Sequence, residues 1–249
     1  MMRTVRILAL AGMLVCTLAV EAAAQAWSER FYVTFNGGVQ TTTNGFSDRF
    51  QFEQYLEQAS VEVDYDNDGG PFFDGGIGVR LWKGLGAGVA FSFFTKDNPA
   101  TIEARIPHPF FDAQPREISG DAPSLTRTDS VVHLQVMAML DPAGPLRLVF
   151  FGGPSFFRVE QDLVTGVRYS EEYPYDTATF TGADTSSVNE STVGFNVGAD
   201  VIWMFHENVG VGGLLRFTRG SLDLDAPGNR TISVDAGGFQ AGGGIRIVF

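Results

Sequence analysis

Period-two alternation with no helical counterpart constrains this chain more than any other feature. From Val193 to Phe205, the residues Val193, Phe195, Val197, Ala199, Val201, Trp203 and Phe205 are all apolar, and Gly194, Asn196, Gly198, Asp200, Ile202 and Met204 lie between them. Successive side chains of a strand point to opposite faces. One face is therefore greasy throughout, and the other is small or polar until its last residues. The run is long enough to cross a bilayer at a tilt, which takes about 9–11 residues. In lipid every backbone polar group needs an internal partner, so only helices and closed barrels span. No helical periodicity follows the first 26 residues.

Seven further segments repeat the pattern. Phe31, Val33, Phe35, Gly37 and Val39 alternate with Tyr32, Thr34, Asn36, Gly38 and Gln40. A second strand is predicted over about Phe72 to Trp82, a third over Leu85 to Lys96 and a fourth over Thr126 to Leu140. A fifth, Leu146 to Gln161, is apolar on both faces, which leaves its register open. The Val193–Phe205 strand is sixth, Val209 to Gly220 seventh and Ile232 to Phe249 eighth. Their connectors alternate in length. Lys83-Gly84, Asp141–Pro145 and His206–Asn208 are tight turns, whereas Thr41–Pro71, Asp97–Leu125, Asp162–Ser191 and Ser221–Thr231 are long. Within the long connectors, Ser60–Tyr65 and Thr177–Thr181 read as extensions of strands above the membrane. The expected fold is all-β: an eight-stranded antiparallel up-and-down transmembrane barrel with short periplasmic turns and four long extracellular loops. Trp82, Trp203, Phe205, Phe31 and Phe249 fall near the periplasmic ends, where an aromatic girdle belongs.

Composition agrees. Charged residues make up 18% of the chain, and 30 Gly and 22 Phe suit a sheet with one greasy face. A net charge of −12 without a basic patch argues against nucleic acid as a partner. Arg3 and Arg6 followed by the apolar run Ile7–Val20 and small residues around Ala24 and Ala26 read as a cleaved secretory signal over 1–26, leaving a barrel over 27–249. The single cysteine, Cys16, lies in that signal, so the exported chain is expected to form no disulfides.

The eighth strand ends Ile245, Ile247, Phe249 with alternate residues apolar, and this resembles the signal by which the barrel assembly machinery recognises its clients. With the strand pattern and the turn–loop asymmetry, the chain resembles small outer-membrane β-barrels of the OmpA/OmpX-like group, over the region from about Ala26 to Phe249. The resemblance implies a cell outer-membrane location, contact with lipid and lipopolysaccharide, and a non-catalytic structural or surface-interaction role. Two other readings stay open. One is a small ion or solute pore. The other is a soluble lipocalin-like barrel with an apolar ligand inside, because alternation alone does not distinguish inside from outside.

The inward positions carry charge: Asp74, Arg80, Lys96, His133, Asp200, Arg216 and Arg246, together with Gln135. Buried charges must pair, so these read as a network that holds a narrow lumen together, or as the gate of a pore. Asp64, Asp66 and Asp68 precede Gly69 as in the start of a calcium loop, but the twelfth position is Gly75 where a bidentate Glu is needed. A solvated acidic turn is the expectation there, and no other cofactor is indicated. In the loops, His108, Phe110 and Phe111 stand between and after two prolines, and Tyr173 and Tyr175 stand among Glu171, Glu172 and Asp176. Such aromatic tips bind an extracellular protein or glycan, or pack under their own loop. No catalytic constellation emerges. Ser130 and His133 point to opposite faces, His206 sits in a periplasmic turn, and His108 has no serine partner.

Overall fold

The computed structural model describes residues 29–42, 45–228 and 230–249; the predicted signal and Cys16 lie outside them. Ten antiparallel strands form one sheet: β1 (Phe31–Thr42), β2 (Phe46–Gln54), β3 (Glu57–Tyr65), β4 (Gly70–Trp82), β5 (Leu85–Ile106), β6 (Arg116–Ala143), β7 (Leu146–Glu171), β8 (Ala178–Met204), β9 (Val209–Ala226) and β10 (Arg230–Val248). Eight of them close a ring, since β1 pairs with β4, each of β4 to β9 pairs with its successor, and β10 returns to β1. The Tyr32↔Val248 to Thr42↔Gly238 ladder is the closure. β2 and β3 form an added hairpin, docked on the upper half of β5 through Ser60↔Arg105 to Tyr65↔Ala100.

The eight strands sit where the alternation placed them, but the four long connectors are mostly β-structure rather than loop. β5 and β6 run on past Asp97 and Leu125, β7 and β8 past Asp162 and Ser191, and β9 and β10 past Ser221 and Thr231. Sequence analysis recognised only the two short extensions. Among the described residues the remaining connectors at this end are brief: the Tyr55-Leu56 turn, 66–69, 107–115, 172–177 and 227–228.

Polarity inverts along the strands at one level. In β5 the odd residues point outward throughout. Leu85, Val89, Phe91 and Phe93 are apolar and exposed, whereas Thr95, Thr101, Glu103 and Arg105 above them are polar. The even residues point inward, and they change from Ser92 to Ala100, Ile102, Ala104 and Ile106. β9 does the same, with Leu215 and Phe217 outside below Arg219, Asp223 and Asp225, and Arg216 and Thr218 inside below Leu222 and Leu224. The lower half is a barrel whose solvent is lipid, and the upper half is a dome whose solvent is water. Phe73, Phe93, Phe156, Phe195 and Phe239 are exposed at the boundary. At the other rim Phe31, Trp82, Trp203, Phe205 and Phe249 are exposed as expected, with Phe31 stacked on Phe249 at 5.6 Å.

The dome has its own hydrophobic core, including Val61, Val63, Ile102, Leu163, Leu224 and Val234, against which Phe46, Phe50 and Phe52 of the added hairpin pack. Three hairpin arms surround this core. β6 leaves β7 above Arg127↔Gln161, and β8 leaves β9 above Phe195↔Arg219. Twelve residues of β5 beyond the boundary, at about 3.3 Å each and tilted, raise the dome on the order of 30 Å above the belt. The open register of the fifth predicted strand is resolved in β7: Phe150 and Phe156 face lipid, and Val149, Phe151 and Phe157 face inward.

Candidate functional site

Two assemblies gather the residues that carry chemistry: the lumen and the extracellular tip. In the lumen, Asp200 on β8 accepts both arms of Arg246 on β10, Nε and Nη2 at 2.7 Å each, and also the hydroxyl of Tyr32 on β1. One level up, Arg216 donates to Asp74 Oδ2 at 2.8 Å and to Gln240 Oε1 at 2.6 Å, and Gln240 continues to Gln40. Asn36 donates to the other oxygen of Asp74 at 2.9 Å. His133 is held between Ser92 (2.9 Å) and Ser155 (2.7 Å), and Ser155 accepts from Asn196. Higher still, Arg127 pairs with Asp129 at 3.0 Å beneath the dome. Each residue occupies an inward position of its strand, so the groups meet between neighbouring strands, as His133 does with Ser92 and Ser155, or across the narrow lumen, as Arg216 does with Asp74.

Of the predicted lumen residues, Asp74, His133, Asp200, Arg216 and Arg246 are buried in this network. Arg80 lies at the periplasmic rim, where its guanidinium donates to the Glu29 carbonyl beside the Glu29–Arg147 ion pair. Lys96 is half-buried at the dome boundary. Sequence reasoning missed Tyr32, Ser92, Arg127, Asp129, Ser155 and Gln240. Their signal was available, since each sits on the inward parity of its strand.

The lumen is filled. Below the polar levels, Met139, Val149, Ile202, Met204 and Val248 form an apolar floor, and Phe72 and Phe94 lie toward the dome. Ile202, Val248, His133 and Arg246 have no surface accessible to a water-sized sphere. The cavity lined by Asp74, Asp200 and Arg216 holds about 20 Å³, room for little more than a single water. A gated ion path finds no support in this packing. The exposed apolar belt likewise removes the soluble lipocalin-like reading, which needs a polar exterior around the barrel.

Three connectors meet at the dome's tip. Arg116 at the start of β6 is buried and donates to Glu171 at 2.5 Å, to the Tyr175 carbonyl at 3.2 Å and to the Pro107 carbonyl at 2.7 Å. Tyr55 of the β2–β3 turn donates to the same Glu171, and Glu57 accepts from the Ala113 amide at 3.0 Å. Burial raises the Glu171 pKa, but the hydrogen bonds from Tyr55 and Arg116 outweigh it and the net shift is downward. The Tyr55 hydroxyl is shifted upward, first by its bond to Glu171. This tie brings the predicted aromatics together. His108 lies 4.8 Å from Phe111 between ring centroids, Phe110 meets Tyr175 edge-on at 5.6 Å, and Tyr173 meets Tyr175 edge-on at 6.1 Å. All five loop candidates thus share one cluster. Sequence reasoning missed Leu56, Tyr55 and the organising Arg116, because nothing local links the first connector to the other two.

The tip is apolar and strained. Leu56 is 93% exposed, Tyr173 84% and Phe110 70%. Tyr55, Leu56, Ala113 and Tyr175 all have positive φ, and among the described residues the only other non-glycine residue that does is Lys83, in a periplasmic turn. Each such residue costs roughly 1–2 kcal/mol relative to a right-handed conformation. The three aspartates weighed for calcium do not converge. Asp64 accepts from Ser47 at 2.5 Å on the outer face of β3, and no group of three or more His, Cys, Asp or Glu among the described residues is placed to hold a metal.

The chain folds as an outer-membrane β-barrel. Closure through β1 and β10, the lipid-facing belt and its two aromatic rims together place it in the outer membrane. Its fold matches the outer membrane protease OmpT from Escherichia coli, at 10% identity and a TM-score of 0.51, over 90% of this chain and 98% of that one. Weaker likenesses are to Neisserial surface protein A (16% identity, 88% of this chain and 97% of that chain, TM-score 0.44) and to the outer membrane protein OprG from Pseudomonas aeruginosa (10%, 89% and 96%, 0.44). At these identities the likeness is one of fold alone. No protein-family model and no curated protein matches the sequence.

Proposed function

We propose that this barrel is a non-catalytic surface-interaction protein, which carries its aromatic tip on a rigid dome to meet an extracellular protein or glycan. The observation that carries the reading is the tip itself. Side chains from three connectors are gathered by one buried arginine, and large apolar residues are held in left-handed backbone that glycine would occupy without strain. Backbone strain of this kind collects at functional sites, and exposed apolar patches on a folded surface mark interaction sites. The filled lumen supports a scaffold rather than a conduit. In this reading lipid and lipopolysaccharide contact the belt. The barrel assembly machinery reads the last strand, where Ile245 and Phe249 stand exposed.

The test is whole-cell binding to a panel of immobilised extracellular proteins and glycans, comparing the native chain with Phe110→Ser/Tyr173→Ser at equal surface display. Binding that the double substitution abolishes supports the reading. Binding indifferent to it, or single-channel conductance above background in planar bilayers, contradicts it.

A further inference from the structure

We infer that the tip's partner is a cationic polypeptide segment; this deepens the surface-interaction reading and rests on it. The three connectors carry Asp112, Glu172 and Asp176 on exposed positions, with Glu57 half-buried beside them, and no lysine or arginine. The nearest arginine, Arg116, is buried, and its two terminal nitrogens are taken up by Glu171 and two carbonyls. The tip is therefore an apolar aromatic surface with an uncompensated acidic rim. An anionic surface is repelled there, and a lysine or arginine side chain is attracted twice, by a carboxylate and by the exposed ring faces of Phe110 and Tyr173.

A second feature points the same way. His108 is buried, and its Nδ1 accepts the amides of Phe110 and Phe111 at 3.1 and 3.2 Å, which leaves the proton of the neutral ring on Nε2. That Nε2 has no hydrogen-bond partner and faces Asp176 Oδ1 across 3.8 Å, too far for a hydrogen bond. Asp176 therefore gains no hydrogen bond from the buried ring and stays 71% exposed, open to a lysine or arginine side chain of a peptide. The chain's net charge of −12 steers the same class of partner toward it.

The experiment uses the full barrel in lipid nanodiscs, checked for folding by its gel shift between boiled and unboiled samples. Fluorescence anisotropy is read with a labelled alternating Arg-Gly peptide, with an alternating Glu-Gly peptide and labelled maltoheptaose as comparisons. The expected result is saturable binding of the Arg-Gly peptide alone, weakened about tenfold or more by Asp112→Asn/Glu172→Gln/Asp176→Asn and weakened again by raised salt. Absence of saturable binding, or binding that the neutralised rim leaves unchanged, overturns the inference. Maltoheptaose binding that depends on Phe110 and Tyr173 but not on the acids overturns it too, while leaving the surface-interaction reading in place.

Discussion

Replacing Asp200 by alanine strands Arg246 inside the barrel, and the cost follows from the geometry. Both arms of Arg246 lie 2.7 Å from the carboxylate, neither side chain is more than 2% exposed, and the Tyr32 hydroxyl loses its acceptor in the same step. Removing one member of a buried ion pair leaves an uncompensated charge and typically costs about 3–5 kcal/mol. At about 1.4 kcal/mol per decade, the folding equilibrium shifts by two to three and a half orders of magnitude. The informative contrast is Asp200→Leu/Arg246→Met, which removes both charges and keeps much of the volume. Replacing a whole pair by packed apolar groups is often neutral, so the double variant is expected to lie within about 2 kcal/mol of the native chain and above the single one. The assay is urea unfolding of the barrel in detergent micelles, followed by tryptophan emission and by loss of the unboiled gel position. If Asp200→Ala unfolds at the native urea concentration, or the double variant is worse than the single, the lumen pair is not the structural tie argued here.

Further outcomes follow from other parts of the molecule. Leu224 is fully buried in the dome core, so Leu224→Ala should cost about 2–5 kcal/mol locally; added protease should cut the dome while the barrel keeps its gel shift. Glu171 has a folded pKa depressed below the ordinary value of 4.5. Its contribution is therefore present above that value and lost as pH falls through the folded pKa. Amide exchange at 107–115 and 172–177 should rise on acidification below pH 4.5 in the native chain, and Glu171→Gln should remove that pH step. Tyr55→Asn/Leu56→Gly supplies the residues that a left-handed two-residue turn prefers. It should stabilise the β2–β3 hairpin by about 1–2 kcal/mol in hydrogen exchange while weakening whatever binds the tip.

The barrel was legible because lipid imposes the same rule on every strand: Val193 to Phe205 reads as membrane-crossing without reference to any other segment. The dome was less legible for the opposite reason. Ala100-Thr-Ile-Glu-Ala-Arg-Ile106 alternates as cleanly as any barrel strand, but its phase is reversed against the outward apolar run that precedes it. Taken as one strand in one solvent, β5 therefore reads as ending at Lys96. The inversion becomes intelligible only when a single strand is allowed two solvents. Charged lumen residues could be named from parity, but their partners could not, because Asp200 meets Arg246 across the whole of β9 and Arg216 meets Asp74 only through the ring closure that β1 and β10 make. At the tip, His108, Phe110, Phe111, Tyr173 and Tyr175 stood out as apolar groups in polar surroundings. Their convergence depends on Arg116, which reaches contacts from 107 to 175 and has no signature in local sequence.

The account stands on the change of solvent along one strand, and thiol labelling tests it most directly. The chain's one cysteine lies in the predicted signal, so single cysteines can be placed at Ile102, Glu103 and Leu215 and exposed on intact cells to a membrane-impermeant maleimide. The account predicts fast labelling at Glu103 alone, with Ile102 shielded inside the dome and Leu215 shielded by lipid. Labelling at Leu215 as fast as at Glu103, or fast labelling at Ile102, would contradict it.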